Sequence, residues 1–236
     1  MWPFNRKYAL QPSGFFRDLT DWHCHILPGV DDGFRTMEDS LKALSFYADI
    51  GISEVWLTPH VMEDIPNTPE ELRARFTELT AAYKGPVRLH LAAEHMLDNL
   101  FEERLEAGEV LPIGWKGESL LVETSYFNPP MDMEGLLERI KHKGFRPLLA
   151  HPERYVYMDM KDYRRLQGMG VEFQLNLMSL FGLYGPDARA KAFRLLDEGF
   201  YGRAGTDLHR LRPLERAIAE KSLTSKQIAL LPRYTE

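Results

Sequence analysis

His23 and His25 lie two residues apart in the run Thr20-Asp21-Trp22-His23-Cys24-His25-Ile26-Leu27-Pro28-Gly29-Val30-Asp31-Asp32-Gly33. Side chains alternate faces along a strand, so the two imidazoles point the same way and can share one ion, while Cys24 faces away. Pro28-Gly29 turns the chain, after which Asp32 can offer an oxygen from the loop. Two nitrogens and a carboxylate suit Zn, Mn, Fe or Ni, and the spacing does not choose among them. A lone His-x-His on a half-buried strand is also a common pair of ordinary polar residues, so the rest of the chain must decide.

The same residue types recur where strands should end: Leu57-Thr58-Pro59-His60, Ala92-Ala93-Glu94, Leu121-Val122-Glu123, Leu149-Ala150-His151-Pro152-Glu153-Arg154 and Thr206-Asp207-Leu208-His209. His23, His25, Asp32, His60, Glu94, Glu123, His151, Asp207 and His209 are thus candidates for one pocket. Unpaired buried charge is expensive, so four carboxylates converging there require cations. Nine donors exceed what one Zn-like ion takes, and shared carboxylates allow two or three ions. Three divalent ions would leave about +2 at the site, which attracts a dianion such as a phosphate monoester. A water bridging such ions is acidified towards neutral pH and becomes the nucleophile at phosphorus.

Arg154, just after His151, has a planar fork suited to two phosphoryl oxygens and to transition-state charge. Arg210 and Arg212 follow His209, and either can add a second clamp, with Arg212 favoured. His142 lies in a basic helix end, His90 falls too early on its strand, and His95 should face away from Glu94. Cys24 lacks the surrounding Cys-x5-Arg loop of a cysteine phosphatase. The turn Tyr126-Phe127-Asn128-Pro129-Pro130 either walls the pocket or packs as an ordinary loop.

Positioning these residues requires strands at Asp21–Leu27, Glu54–Pro59, Val87–Ala93, Ser119–Thr124, Pro147–His151, Val171–Leu177 and Tyr201–Asp207. Several are short apolar runs, as strands covered on both faces should be. Helices are expected from Thr36-Met37-Glu38-Asp39 to Ile50, stopped by Gly51, and from Thr68-Pro69-Glu70-Glu71, with an N-cap and Pro at the first turn. Others are expected near Asp98–Ala107, Met131–His142, Asp162–Gly168, Pro186–Glu198 and Leu214–Lys221, with a short last one from Thr224. Seven β-then-α units suggest parallel strands with right-handed crossovers, closed into a barrel or wound as an open sheet. Site residues at the carboxyl end of strand after strand favour the barrel.

A length of 236 residues suits one α/β barrel domain over residues 20–236, preceded by a lead-in at residues 1–19. The 44% hydrophobic content supports a sizeable core. A formal charge of −6 gives no electrostatic footprint for nucleic acid and argues weakly against an anionic membrane surface. One cysteine excludes an intrachain disulfide framework and fits a reducing compartment. Met1-Trp2-Pro3-Phe4-Asn5-Arg6-Lys7 lacks a secretory apolar core, and no apolar run approaches a membrane span, so a cytoplasmic protein without membrane insertion is expected.

The residues assembled above resemble the polymerase and histidinol phosphatase (PHP) superfamily of metal-dependent phosphoesterases. The run Asp21–Gly33 is most similar to the bacterial capsular-polysaccharide tyrosine phosphatases of the CpsB/CapC/YwqE type. Thr58-Pro59-His60, Glu94, Glu123, Ala150-His151-Pro152-Glu153-Arg154 and Thr206-Asp207-Leu208-His209 follow in matching order, so the likeness covers residues 20 to 215. The resemblance implies a distorted (β/α)7 TIM-like barrel with three divalent ions, usually manganese, with Fe, Zn, Co or Mg as other choices. It implies hydrolysis of phosphotyrosine in the tail of a bacterial tyrosine autokinase that controls polysaccharide export. The nine candidates carry over as ligands, and Arg154 as the phosphate-binding arginine. Ala92 stands where the family often has Gly, and the segment after His209 is short, which leaves Arg210 and Arg212 both open. A small-molecule phosphatase of the histidinol-phosphate type and a non-catalytic metal-binding scaffold are the alternatives.

Overall fold

The computed structural model describes residues 6–233; the reading of Met1–Asn5 and the last three residues lie outside them. The elements in order are β1 (Lys7–Tyr8), β2 (Leu19–Cys24), α1 (Met37–Ile50), β3 (Ile52–Leu57), β4 (His60–Val61), α2 (Pro69–Ala82), β5 (Arg88–Leu91), β6 (Glu94–Met96), α3 (Phe101–Ala107), β7 (Ser119–Glu123), α4 (Met133–His142), β8 (Arg146–Ala150), α5 (Met160–Gly168), β9 (Glu172–Asn176), α6 (Gly185–Asp197), β10 (Tyr201–Gly205), α7 (Leu211–Ala219), β11 (Leu223–Thr224) and α8 (Ser225–Leu230).

Local chemistry accounts for the helix ends. Thr36 Oγ1 accepts from the Asp39 N–H, and Gly51 closes α1 in the left-handed region at φ 99°. Thr68 and Glu71 form a reciprocal capping box around Pro69 at the start of α2. Asp159 and Asp162 form a box that starts α5 two residues earlier than the apolar pattern suggests. Asp132 caps α4, and Thr224 with Gln227 opens α8.

Six strands run parallel in the order β10-β9-β8-β7-β6-β4, and three more in the order β2-β3-β5. The two sheets are one distorted seven-stranded barrel. Expected strands two and three are each interrupted near their carboxyl ends, giving β3 then β4 and β5 then β6. Pro59, which has no N–H to give a ladder, stands at the first break. Bonds from Ala92 N to Leu57 O (2.9 Å) and Glu94 N to Pro59 O (3.0 Å) carry the pairing across the breaks. On the other side, Asp207 N donates to His23 O at 2.8 Å and His25 N to Leu208 O at 3.1 Å, joining the end of β10 to β2.

Between Asp21 and Cys24 the register of β2 slips against β3, so Trp22 and His23 together oppose Trp56. Trp22 packs with Trp56, Leu121, Leu148 and Ala150, and Trp115 stacks on it at 4.6 Å between ring centroids. This aromatic floor is capped by Arg203, whose guanidinium lies 4.7 Å from the Trp22 ring. Cys24 is buried in the larger core outside the barrel with Leu57, Leu44 and Tyr47. Part of the lead-in is packed into the body: β1 pairs antiparallel with β11, and Leu10, Phe15 and Phe16 are buried in that outer core. No helix among the described residues is long and apolar enough to cross a membrane.

Candidate metal centre

The carboxyl ends of the strands bring the nine expected donors into one mouth. Among the described residues, three groups offer ligand atoms mutually within 4.8 Å: His25, Asp32, His60 and His209; His23, His25, Glu94 and Asp207; and His60, Glu94 and Glu123. Each pair of groups shares one residue, namely His25, His60 or Glu94. His151 adjoins the third group, with Nε2 2.8 Å from Glu94 Oε1 and 3.7 Å from Glu123 Oε2. His23 Nε2 is 3.1 Å from both His25 Nε2 and Glu94 Oε2. His25 Nε2 is 3.2 Å from Asp207 Oδ1, and His209 Nε2 is 3.1 Å from Asp32 Oδ1.

The donor set fits divalent ions. His60 Nδ1 lies 3.1 Å from Glu94 Oε2 and 3.0 Å from Glu123 Oε1, yet these three buried atoms make no aligned hydrogen bond. Atoms that converge without bonding one another are what a common cation requires, and buried polar atoms are otherwise rarely left unsatisfied. Imidazole with carboxylate suits Mn, Fe or Zn. Protons meanwhile balance part of the charge. Burial and the His25 charge push His60 down, but Glu94 and Glu123 carry it up to about 10. Burial opposes protonation of His25 too, and Asp31, Asp207 and Glu94 still raise it well above its ordinary value. Against burial, the surrounding imidazoles hold Glu94 and Asp207 well below the usual carboxylate range.

Residues outside the nine aim them. His25 Nδ1 is 2.8 Å from Asp31 Oδ2, which also accepts from the His60 N–H at 3.1 Å. His23 Nδ1 is 2.9 Å from Gln174 Oε1, which fixes which ring nitrogen faces the mouth. Asn176 Nδ2 donates to Asp207 Oδ2 at 2.8 Å. None of these three is among the candidates that residue type and spacing single out; the sixth expected strand, Val171–Leu177, has no donor among the nine and supplies amides at Gln174 and Asn176. The signal for the two amides is the run Glu172, Gln174 and Asn176, polar at period two between apolar Phe173 and Leu175. Asp21, wholly buried, accepts from Tyr47 OH at 2.6 Å, Thr206 Oγ1 at 2.8 Å and Thr206 N at 2.9 Å, tying β2, α1 and the end of β10 together.

Two donors stand on strained backbone. His151 has φ 34° and Asp207 φ 51°, left-handed conformations that L-residues seldom adopt and that cost about 1–3 kcal/mol each. The strain turns each chain end as it leaves its strand at the mouth. Gly205 and Gly33 serve close approach: a Cβ on either would overlap His23 or His25.

A cleft of about 420 Å³ opens on the donors, lined by Asp32, His60, His151, Asp207 and His209 together with Arg154 and Arg210. The Arg154 guanidinium is held between two rings, 4.2 Å from Tyr126 and 4.0 Å from Tyr184, and donates to Asp207 Oδ2 at 2.7 Å. The Tyr126 turn therefore walls the pocket. Arg212 does not line this cleft but the adjoining one, whereas Arg210 lines both. The residues set aside are elsewhere. His90 pairs with Glu54 and stacks on Trp56. His95 Nε2 accepts from the Leu111 N–H, its pKa pushed down to about 3 by burial and by Arg104. His142 is exposed.

The family model for capsular polysaccharide synthesis, CpsB/CapC, matches residues 19–223. The chain belongs to the CpsB/CapC family. Among fellow members, tyrosine-protein phosphatase YwqE of Bacillus subtilis (strain 168) is 26% identical over 200 residues, covering 82% of this chain and 78% of YwqE. Tyrosine-protein phosphatase CpsB of Streptococcus pneumoniae is 27% identical over 206 residues, covering 82% and 84%. A crystal structure from work on YwqE of Bacillus subtilis and CpsB of Streptococcus pneumoniae, described as unique metal-dependent tyrosine phosphatases, superposes with a TM-score of 0.77 at 25% identity, covering 90% of this chain and 91% of that one. The phosphotriesterase homology protein of Escherichia coli shares the fold alone, at a TM-score of 0.56 and 12% identity over 92% of this chain and 96% of that one.

Proposed function

We propose that this CpsB/CapC member is a metal-dependent protein-tyrosine phosphatase. Its substrate is a phosphotyrosine protein, in the first place the tail of a bacterial tyrosine autokinase acting in capsular or exopolysaccharide export. The observation that carries the reading is a mouth of buried acids and imidazoles, with unbonded donor atoms, opening beside an aromatic-clamped arginine.

In this reading the nine residues hold three divalent ions, manganese foremost. When bound, such ions acidify a water to serve as nucleophile and neutralise charge on the phosphoryl oxygens. Arg154 supplies a planar pair of donors to the phosphoryl group, in an orientation that Tyr126 and Tyr184 fix before substrate arrives. Arg210 is the second cation of the cleft, in place of Arg212. The leaving group is a phenol of pKa about 10, far more acidic than an alkyl alcohol, so protonation by the enzyme is less needed than for serine phosphates. The lead-in buttresses a single catalytic unit over residues 20–236. The lone buried cysteine suits a reducing, cytoplasmic setting.

The test is hydrolysis by the purified chain of para-nitrophenyl phosphate, a tyrosine-phosphorylated peptide and histidinol phosphate, with manganese and with chelator. The reading expects manganese-dependent turnover with the peptide preferred. Turnover that survives chelation removes the metal chemistry. A preference for histidinol phosphate makes the chain a small-molecule phosphatase, and inactivity on all three leaves a scaffold.

A further inference from the structure

A second cleft, of about 500 Å³, adjoins the metal cleft and shares His209, Arg210 and Pro213 with it. Its wall carries Arg35, Lys42, Arg210 and Arg212 against a single carboxylate, Asp39. Lys42 is paired with Glu38 at 2.7 Å, and Asp39 is engaged by Thr36 and Lys42. Among the described residues, Arg35, Arg210 and Arg212 have no carboxylate partner, and all three are exposed. Three arginines without acid partners, with Lys42 beside them, crowd one wall of a single cleft in a chain of net charge −6. They come from two separate elements, the loop before α1 and the entry to α7.

We propose that this basic cleft is a substrate subsite for an anionic group on the peptide segment flanking the scissile phosphotyrosine. The proposal rests on the phosphatase reading above, because the two clefts share a wall and a substrate seated in the first can extend into the second. An extended peptide advances about 3.3 Å per residue, so a side chain a few residues from the phosphotyrosine can enter while its phosphate sits against Arg154. Carboxylate and phosphate both answer arginine forks, so an acidic residue or a second phosphorylated residue meets the same chemistry. Such a subsite makes the enzyme select acidic stretches without altering how the phosphate is cut.

The experiment measures kcat/KM on peptides with one phosphotyrosine and a flanking residue, about one to four positions to either side, that is alanine, aspartate or phosphoserine. The aspartate peptides separate a carboxylate source from a phosphate source. The proposal expects a gain of roughly three- to tenfold for an anion on one side of the phosphotyrosine, the scale of one or two exposed ion pairs. The gain should shrink at high salt. It should be lost in Arg35→Ala and reversed in Arg35→Glu, with para-nitrophenyl phosphate turnover unchanged in both. Equal rates for all flanking residues, or a gain that Arg35→Glu leaves intact, overturns it. Binding of the same peptides with a non-hydrolysable phosphotyrosine analogue, read by fluorescence polarisation, must show the same ranking. That second readout tests the subsite even if turnover fails, whereas loss of para-nitrophenyl phosphate turnover in the unaltered chain strikes only the phosphatase reading.

Discussion

Arg154 is the residue whose loss should divide chemistry from metal binding. Its side chain bonds the donor set through Asp207, and its guanidinium plane is set by Tyr126 and Tyr184. Arg154→Ala is expected to lower kcat/KM by about 10²–10³-fold, as removal of a preorganised charge-stabilising donor does. Metal content by mass spectrometry should remain that of the unaltered chain; parallel loss of metal would make Arg154 structural. Arg154→Lys should recover little, since an ammonium keeps the charge but not the fork. Asp31 calls for the opposite outcome. It orients His25 without joining the donors, so Asp31→Asn should weaken manganese affinity about 10–100-fold while saturating metal restores turnover. An unchanged manganese titration would remove Asp31 from the account. At this scale the sequence was most legible where chemistry is dear: buried histidines and carboxylates at strand ends have few other uses. Asp31, Gln174 and Asn176 were not read, because a supporting amide or acid looks like any turn or strand polar residue until its partner is known. Between Arg210 and Arg212 the choice hung on how α7 begins: it starts at Leu211, which sends Arg212 to the neighbouring cleft.

Elements place these residues through close contacts that tolerate no extra atom. Gly205 ends β10 directly against His23, where a methyl would overlap the histidine Cβ. Gly205→Ala is expected to cost about 1–3 kcal/mol of stability by overpacking. It should also displace His23, lowering manganese stoichiometry while the far-ultraviolet circular dichroism stays native. A variant that binds metal normally would show that β10 can yield there. Strand-to-helix alternation and the Thr36 and Thr68 caps were readable from residue types, since capping chemistry is local. The breaks within strands two and three were not, although Pro59 marked one of them. They arise because the chain must leave the ladder to aim His60 and Glu94 into the mouth. The slip in β2 was equally hidden: strict alternation would put Trp22 and His23 on opposite faces, and the extra residue instead lets Trp22 join the aromatic floor.

For the whole molecule, metal loading and pH should be linked. His60 without metal has its pKa raised from an ordinary value near 6.5 to about 10, so it takes up a proton on folding. That contribution to stability is complete below pH 6.5 and is lost as pH rises through about 10, so the metal-free protein should become less stable over that window. A divalent ion must displace the same proton. Manganese affinity should therefore rise with pH between about 6.5 and 10, with proton release seen as a dependence of binding heat on buffer ionisation enthalpy. Affinity indifferent to pH would mean that His60 is no ligand. The barrel itself could be anticipated because six chemically alike strand ends out of seven make sense only around a shared mouth. How the lead-in packs could not, since Leu10, Phe15 and Phe16 carry no periodic pattern and are ordered by partners far along the chain.

The claim on which everything else rests is that one mouth houses several ions held by nine side chains. Anomalous diffraction at the manganese edge, from crystals grown with excess manganese, tests it most directly. The account predicts three peaks, one in each group of donors, at about 2.0–2.3 Å from the imidazole and carboxylate atoms. Peaks confined to the protein surface, or a mouth in which Glu94 and His60 turn away from a single ion, would contradict it.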